Sequence, residues 1–194
     1  MDQVKELRDM TGVSVMQCKK ALEEAQGDKD KAIEILKRKS KDIAGKKGDR
    51  TLGSGTIQSY IHLGGAVGSM VLLSSETDFV SKNEEFKKLA YDIAMHIAAA
   101  NPEFVSREEV SEETVNDLKK VFEEEAKASG KTDPAVKEKV VLGKLNTYFA
   151  ERALLEQPFV KNGDVTVGAL VDEAVQKFGE RIEVSRFARF SSDR

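Results

Sequence analysis

The fold is decided between Thr56 and Pro102, TIQSYIHLGGAVGSMVLLSSETDFVSKNEEFKKLAYDIAMHIAAANP, because two kinds of periodicity meet there. Ile57, Ser59, Ile61 and Leu63 alternate with Gln58, Tyr60 and His62, the two-residue period of a strand with one buried face. Gly64-Gly65 is a hairpin signal, and the apolar run from Met70 to Leu73 suits an antiparallel partner strand ending near Ser75. Behind it the period changes. Phe86, Leu89, Ala90, Ile93, Ala94 and Ile97 fall on one face of a long helix, with Ser81 and Glu84 as the capping box that opens it and Asn101-Pro102 as its end. Strands and helices in blocks, rather than in βαβ units, predict an α+β body built on an antiparallel sheet.

Toward the N-terminus, the first forty residues read as three short helices interrupted at Thr11-Gly12 and Gly27-Asp28. Val4 and Leu7 mark the first inner face, Met16, Ala21, Leu22 and Ala25 the second, and Ala32, Ile33 and Leu36 the third. Ser14 with Gln17 makes a capping box for the second helix, Gly27 suits its end and Asp28 can cap the third. From Lys37 to Arg50 the sequence KRKSKDIAGKKGDR is basic, carries two glycines and reads as a hinge. The organisation predicted is a three-helix head plus hinge over residues 1–50 and an α+β core over residues 51–194.

Toward the C-terminus, Val110 to Gly130 gives a charged helix with the thin apolar stripe Val115, Leu118 and Phe122. Asp133-Pro134 starts the next helix with a cap and a first-turn proline, which predicts a central helical hairpin. Asn162-Gly163 turns the chain, Val167 to Phe178 is helical with Gly179 at its end, and Ile182 to Phe190 is a final strand. Its alternation slips at Arg186, where a bulge is expected.

Composition narrows the function classes. The chain has 194 residues with 31 Lys+Arg against 34 Asp+Glu, a net charge of -3 that gives no global reason to bind nucleic acid. Cys18 is the single cysteine, so an internal disulfide and a multi-cysteine zinc site are excluded. The opening residues MDQVKELRDM carry no apolar signal segment, and no apolar run approaches the ~20 residues of a membrane helix, which predicts a soluble, cytoplasmic protein without a membrane partner. Two histidines lie outside any metal-ligand spacing, and the GSG at Gly53–Gly55 precedes a strand and lacks a following lysine-serine. No catalytic residue, metal or cofactor is expected, and a non-enzymatic function follows.

Two places carry binding chemistry. Thr77-Asp78-Phe79-Val80 lies between a strand end and a capped helix, where a Phe can project as a rigid apolar anchor beside the Asp78 charge. The same pattern also allows Phe79 to tuck under the helix while Asp78 caps it. His96 lies at the edge of the apolar helix face and is read either as a contact residue or as a half-buried histidine bonded within its own fold. His62, on the polar face of its strand, reads as exposed.

LRDMTGVSVMQCKKAL (Leu7–Leu22) and ETDFVSKN (Glu76–Asn83) together resemble the two signatures of the elongation factor Ts family, and IAMHIAAANPEFV (Ile93–Val105) and QPFV (Gln157–Val160) extend the likeness along the chain. The resemblance implies a ubiquitin-associated-type head on an antiparallel core, and a guanine nucleotide exchange factor for elongation factor Tu. In the family the head docks on the nucleotide-binding domain of Tu, and Arg8, Val15, Met16 and Lys19 occupy the matching positions. Thr77, Asp78, Phe79 and Val80 match the corner that disturbs the Mg2+ and phosphate site of Tu-GDP, leaving Tu free to take GTP, while the helix of His96 presses from the flank. Longer members carry a duplicated core subdomain and a coiled-coil insertion. This chain is similar to the short members, which implies a homodimer whose unpaired strand edges join sheets from both chains. Two other readings compete: a ubiquitin-associated-like adaptor for a helix or nascent chain, and an RNA-binding translation factor working through Lys37–Arg50.

Overall fold

The computed structural model describes residues 2–128 and 133–192. In the head, α1 (Asp2–Thr11), α2 (Val15–Glu24) and α3 (Lys29–Lys46) turn where the sequence predicts. Gly12 and Gly27 take positive φ at the two turns, a region that glycine enters without Cβ cost. Ser14 Oγ accepts the Gln17 N–H at 3.4 Å, and Asp28 accepts the Lys31 N–H at 3.1 Å. Leu7, Cys18, Ala21, Leu22, Ala32 and Leu36 form the head's own core. Met16, expected on the inner face of α2, lies outside at 68% exposure, because Cys18 takes the inward position.

The stretch read as a hinge is helical as far as Lys46, so only residues 47–53 form the irregular connection. Ser40, Ile43 and Ala44 stand at i, i+3 and i+4 and make a narrow stripe beneath the lysines. Ser40 is buried and donates to Gln176 Oε1, while Ile43 and Ala44 pack on the main core. The run thus contributes to a core, and its basic side chains are the solvent face of that helix.

Three antiparallel strands, β1 (Ser54–Ile61), β2 (Val67–Ser75) and β5 (Ile182–Ser191), form a sheet in the order β1-β2-β5. Between β2 and β5 lie α4 (Asp78–Ser81), α5 (Glu84–Ala100), α6 (Glu112–Ala128), α7 (Pro134–Arg152), the short hairpin β3 (Pro158–Phe159) and β4 (Asn162–Thr166), and α8 (Val167–Phe178). Helix α5 packs on the sheet and α8 on α3, with Val71, Leu73, Phe86, Ile93, Ile97, Val167, Val175 and Val184 in the shared core. Each large apolar side chain sealed there contributes roughly 1.5–3 kcal/mol. Helix α5 ends at Asn101, whose φ of 50° is the left-handed cap that an asparagine tolerates.

The sheet reverses one expectation. Ile57, Ile61 and Leu63 do not face the core; they are exposed, and Gln58 and Tyr60 lie on the α5 side, where Tyr60 meets Tyr91 edge to face. The outward face runs in three rows across the sheet: Ile57, Leu72 and Arg186; Ser59, Met70 and Ala188; Ile61, Gly68 and Phe190. The bulge expected near Arg186 is present, since Leu72 pairs with Arg186 but Leu73 with Val184, leaving Ser185 as the extra residue.

Helices α6 and α7 form the predicted hairpin around Val141, Leu145 and Phe149, with Val115, Leu118 and Phe122 against them. Asp133 caps α7 by accepting the Ala135 N–H at 2.8 Å, with Pro134 at the first position; Gly130 lies outside the described residues. Asn162-Gly163 belongs to β4, and Val160-Lys161 makes the turn instead.

Candidate functional site

The corner after β2 is built from short-range constraints. Ser75 Oγ donates to the Thr77 carbonyl at 2.9 Å, and Thr77 is extended at φ -126° and ψ 160°. The chain then makes the single turn α4. Val80 is 2% exposed and anchors that turn in the core. Ser81 Oγ lies 2.8 Å from Ser54 Oγ on β1. Successive side chains on a helix point about 100° apart, so fixing Val80 and Ser81 inward sends the preceding side chain out. Phe79 accordingly stands 83% exposed. Of the two readings of Phe79, the structure has the projecting one.

Asp78 is exposed and pairs with Lys82 Nζ at 2.6 Å. The Lys82 ammonium holds the Asp78 carboxyl below the usual carboxylate range, so a negative charge stands beside Phe79 at neutral pH. Thr77 is tied from outside the corner: its N–H donates to Glu180 Oε2 at 3.0 Å and its hydroxyl to Glu180 Oε1 at 2.6 Å. Neighbouring Glu76 accepts Arg50 Nη1 at 3.1 Å and 3.2 Å and also the Arg181 N–H, and these bonds lower its pKa, the Arg181 N–H first. Glu180, Arg181, Glu76 and Arg50 escaped the sequence reading; the Glu180-Arg181 pair directly after a helix-ending glycine was the available signal.

The capping box expected from Ser81 and Glu84 is replaced. Asn83 caps α5 by accepting the Glu85 N–H at 2.8 Å, because Ser81 is buried inside α4 and bonded to Ser54. His96 also departs from the contact reading. It is 1% exposed, its Nε2 lies 2.9 Å from Gln157 Oε1, and its Nδ1 accepts the Val160 N–H at 3.2 Å. An Nδ1 that accepts leaves the proton on Nε2, so the ring is neutral, and burial lowers its pKa against a smaller opposing effect of Gln157. His96 therefore braces the Gln157–Val160 segment from inside and has no surface to offer a partner. The reason lies in Phe159, which packs 6.0 Å from the imidazole and closes the helix edge.

On the head, Val15, Met16 and Lys19 share one face of α2 by spacing, all exposed, and Arg8 is exposed at the end of α1. Met10, exposed near them, was not singled out in the sequence; its place two residues before Gly12 was the only hint. The head meets the core at Lys177, whose Nζ donates to Glu85 at 2.8 Å and whose side-chain end would lie 3.2 Å from a Cβ on Gly12. A hollow of about 680 Å³ lies between α3 and α8, lined by both Lys37 and Lys41 and by Asp172 and Glu173. The first α8 amides are already used, by Gln157 O, Leu155 O and Thr166 Oγ1, so this hollow is a packing seam of mixed charge. Among the described residues no group of three or more His, Cys, Asp or Glu is placed to hold a metal.

Fold and site define a class: a small α+β protein with a three-helix head and with exposed apolar groups at one strand-to-helix corner, on the head and on one sheet face. The sequence profile described as Elongation factor TS matches residues 19–194. Elongation factor Ts of Carboxydothermus hydrogenoformans is 50% identical over 96% of this chain and 86% of its own length. The protein of the same name from Desulfotalea psychrophila is 50% identical over 96% of this chain and 94% of its own, and that of Thermosipho melanesiensis 47% over 97% and 95%. The chain belongs to the elongation factor Ts family.

Proposed function

We propose that this chain is a guanine nucleotide exchange factor that binds elongation factor Tu in its GDP-bound and nucleotide-free forms and promotes GDP release without chemical catalysis. The observation that carries the proposal is Phe79, displayed at 83% exposure on a turn fixed by Val80 and Ser81, within the segment that matches the family's corner. Residues 1–50 act as the docking head through Arg8, Val15, Met16 and Lys19. Residues 51–194 act as the exchange core, in which Thr77, Asp78, Phe79 and Val80 form the wedge that disturbs the Mg2+ and phosphate site. His96, sealed in the core, acts by seating the Gln157–Val160 segment.

The energetics are those of linkage: the factor prefers nucleotide-free Tu, and that preference is subtracted from GDP binding. Each tenfold in release costs about 1.4 kcal/mol. Burial of one phenylalanine supplies roughly 1.5–3 kcal/mol, so the head and sheet must contribute alongside the wedge. The working compartment is the cytoplasm, as the exchange reading requires; no described helix is long and apolar enough to cross a membrane.

The functional unit is a homodimer. The resemblance to short members pointed to strand edges, but the outward face of the sheet is the better surface: Phe190, Ile61, Ile57 and Met70 form an apolar field that no described element covers. Two such faces pack as a sandwich about 10 Å apart, each copy supplying the cover of the other. The exchange proposal is tested by following a fluorescent GDP analogue leaving purified elongation factor Tu with and without catalytic amounts of this chain; an unchanged release rate overturns it.

A further inference from the structure

The turn between α8 and β5, far from the corner in sequence, governs the corner in space. Helix α4 has only four residues, too few to sustain itself. Its N-cap Thr77 makes no side-chain cap to the helix; its hydroxyl is turned instead toward Glu180, to which it donates. The N–H and O–H of one residue thus reach the two oxygens of one carboxylate, a bidentate arrangement that fixes direction as well as distance. Glu180 is itself held. Gly179 before it is the left-handed cap of α8, with its carbonyl taken by Lys47 Nζ. Arg181 after it donates its N–H to Glu76, one guanidinium arm to the Arg50 carbonyl and the other to Glu183. Lys47 and Arg50 belong to the short connection that leaves the head. Three residues therefore join the head connection and the aromatic corner.

We propose that Glu180 is a positioning residue: by clamping Thr77 it holds the α4 turn, and so the direction of Phe79, before any partner is met. A preformed anchor binds without the ordering cost that a loose one carries. The clamp rests on the exchange-factor reading for its purpose but not for its existence, so two measurements separate them. The first needs no partner. In the isolated chain, Glu180→Ala raises hydrogen exchange at the amides of Ser81, Lys82 and Asn83, whose acceptors are Thr77, Asp78 and Val80, while the amides of α1 and α2 keep their protection. Unchanged exchange in α4 overturns the clamp.

The second is nucleotide release from elongation factor Tu across a range of factor concentrations. Glu180→Ala lowers the saturating release rate about tenfold and moves the half-saturating concentration by less than about twofold, the signature of a misdirected wedge rather than lost docking. Glu180→Gln, which keeps an oxygen acceptor for Thr77, recovers most of the rate. In Thr77→Val, which loses the hydroxyl bond and keeps the N–H bond, the Glu180→Ala change costs clearly less than it does in the native chain, because the two residues share one clamp. A full additive loss in the double variant, or a saturating rate untouched by Glu180→Ala, overturns the role in exchange. A wild-type chain that releases no nucleotide refutes the exchange reading, and the amide measurement still decides the clamp.

Discussion

Phe79 is exposed, and its exposure was open in the sequence because the local pattern TDFV fits a tucked ring as well as a projecting one. What decides is Val80: one apolar side chain claims the core, and the residue before it must point away. Phe79→Ala should leave the melting midpoint nearly unchanged, since an exposed side chain contributes within about 0.5 kcal/mol to the fold. The same change should slow nucleotide release from elongation factor Tu by about ten- to a hundredfold while the complex still forms, as expected from the loss of roughly 1.5–3 kcal/mol of burial. Release kinetics and calorimetric titration check the two halves. His96 gives a prediction in pH. Its pKa in the fold lies below the ordinary 6.5, so the unfolded chain takes up a proton first as the solution is acidified. Stability that is present above about pH 6.5 is therefore lost as pH falls from there toward the folded value. Asp172 and Glu173, whose pKa values burial raises, act with the opposite sign: their contribution is present in acid and lost as pH rises through their folded values. Thermal melts from pH 7.5 to pH 5.5 should fall more steeply for the native chain than for His96→Gln, the difference isolating the imidazole.

Among the elements, the starts of α2 and α3 and the whole of α8 were legible because their caps are local: Ser14, Asp28 and Gly179 satisfy backbone groups within a few positions. Helix α3 was legible only in its first half. Its second half carries Lys37, Arg38, Lys39, Lys41 and Lys46, and the charge hides the stripe of Ser40, Ile43 and Ala44 whose partners lie on α8, more than a hundred residues on. A proline at position 41 should break that half. Lys41→Pro removes a helical hydrogen bond at a cost of about 3 kcal/mol and should open residues 41–50 to trypsin at concentrations that leave the native chain intact, as peptide mapping would show. The strand β1 was read with the right period and the wrong face. Alternation states that two faces differ; it does not state which of them the chain's own helices cover.

For the whole molecule, that inverted face is the main consequence. The inward side of the sheet is served by α5, and the outward side, with Phe190 73% exposed, is the apolar patch that the proposed dimer would cover. Replacing Ile61 and Phe190 together by lysine should leave secondary structure and melting nearly as they are, because neither side chain is in the chain's own core. It should also turn a sedimenting dimer into a monomer at micromolar concentration. A native chain that sediments as a monomer would count against the dimer and leave the corner untouched. The sheet face also depends on one residue that belongs to none of its three rows. Ser185 is the surplus residue of β5, and everything after it is half a pleat out of step with what precedes it. Were β5 to pair without the bulge, Ser185 would stand opposite Leu72, Arg186, Ala188 and Phe190 would swing toward α5, and Phe187 and Arg189 would come round to the open side. A kink of one residue in the backbone thus decides whether the open exterior is greasy or charged, independently of which side chains the strand carries.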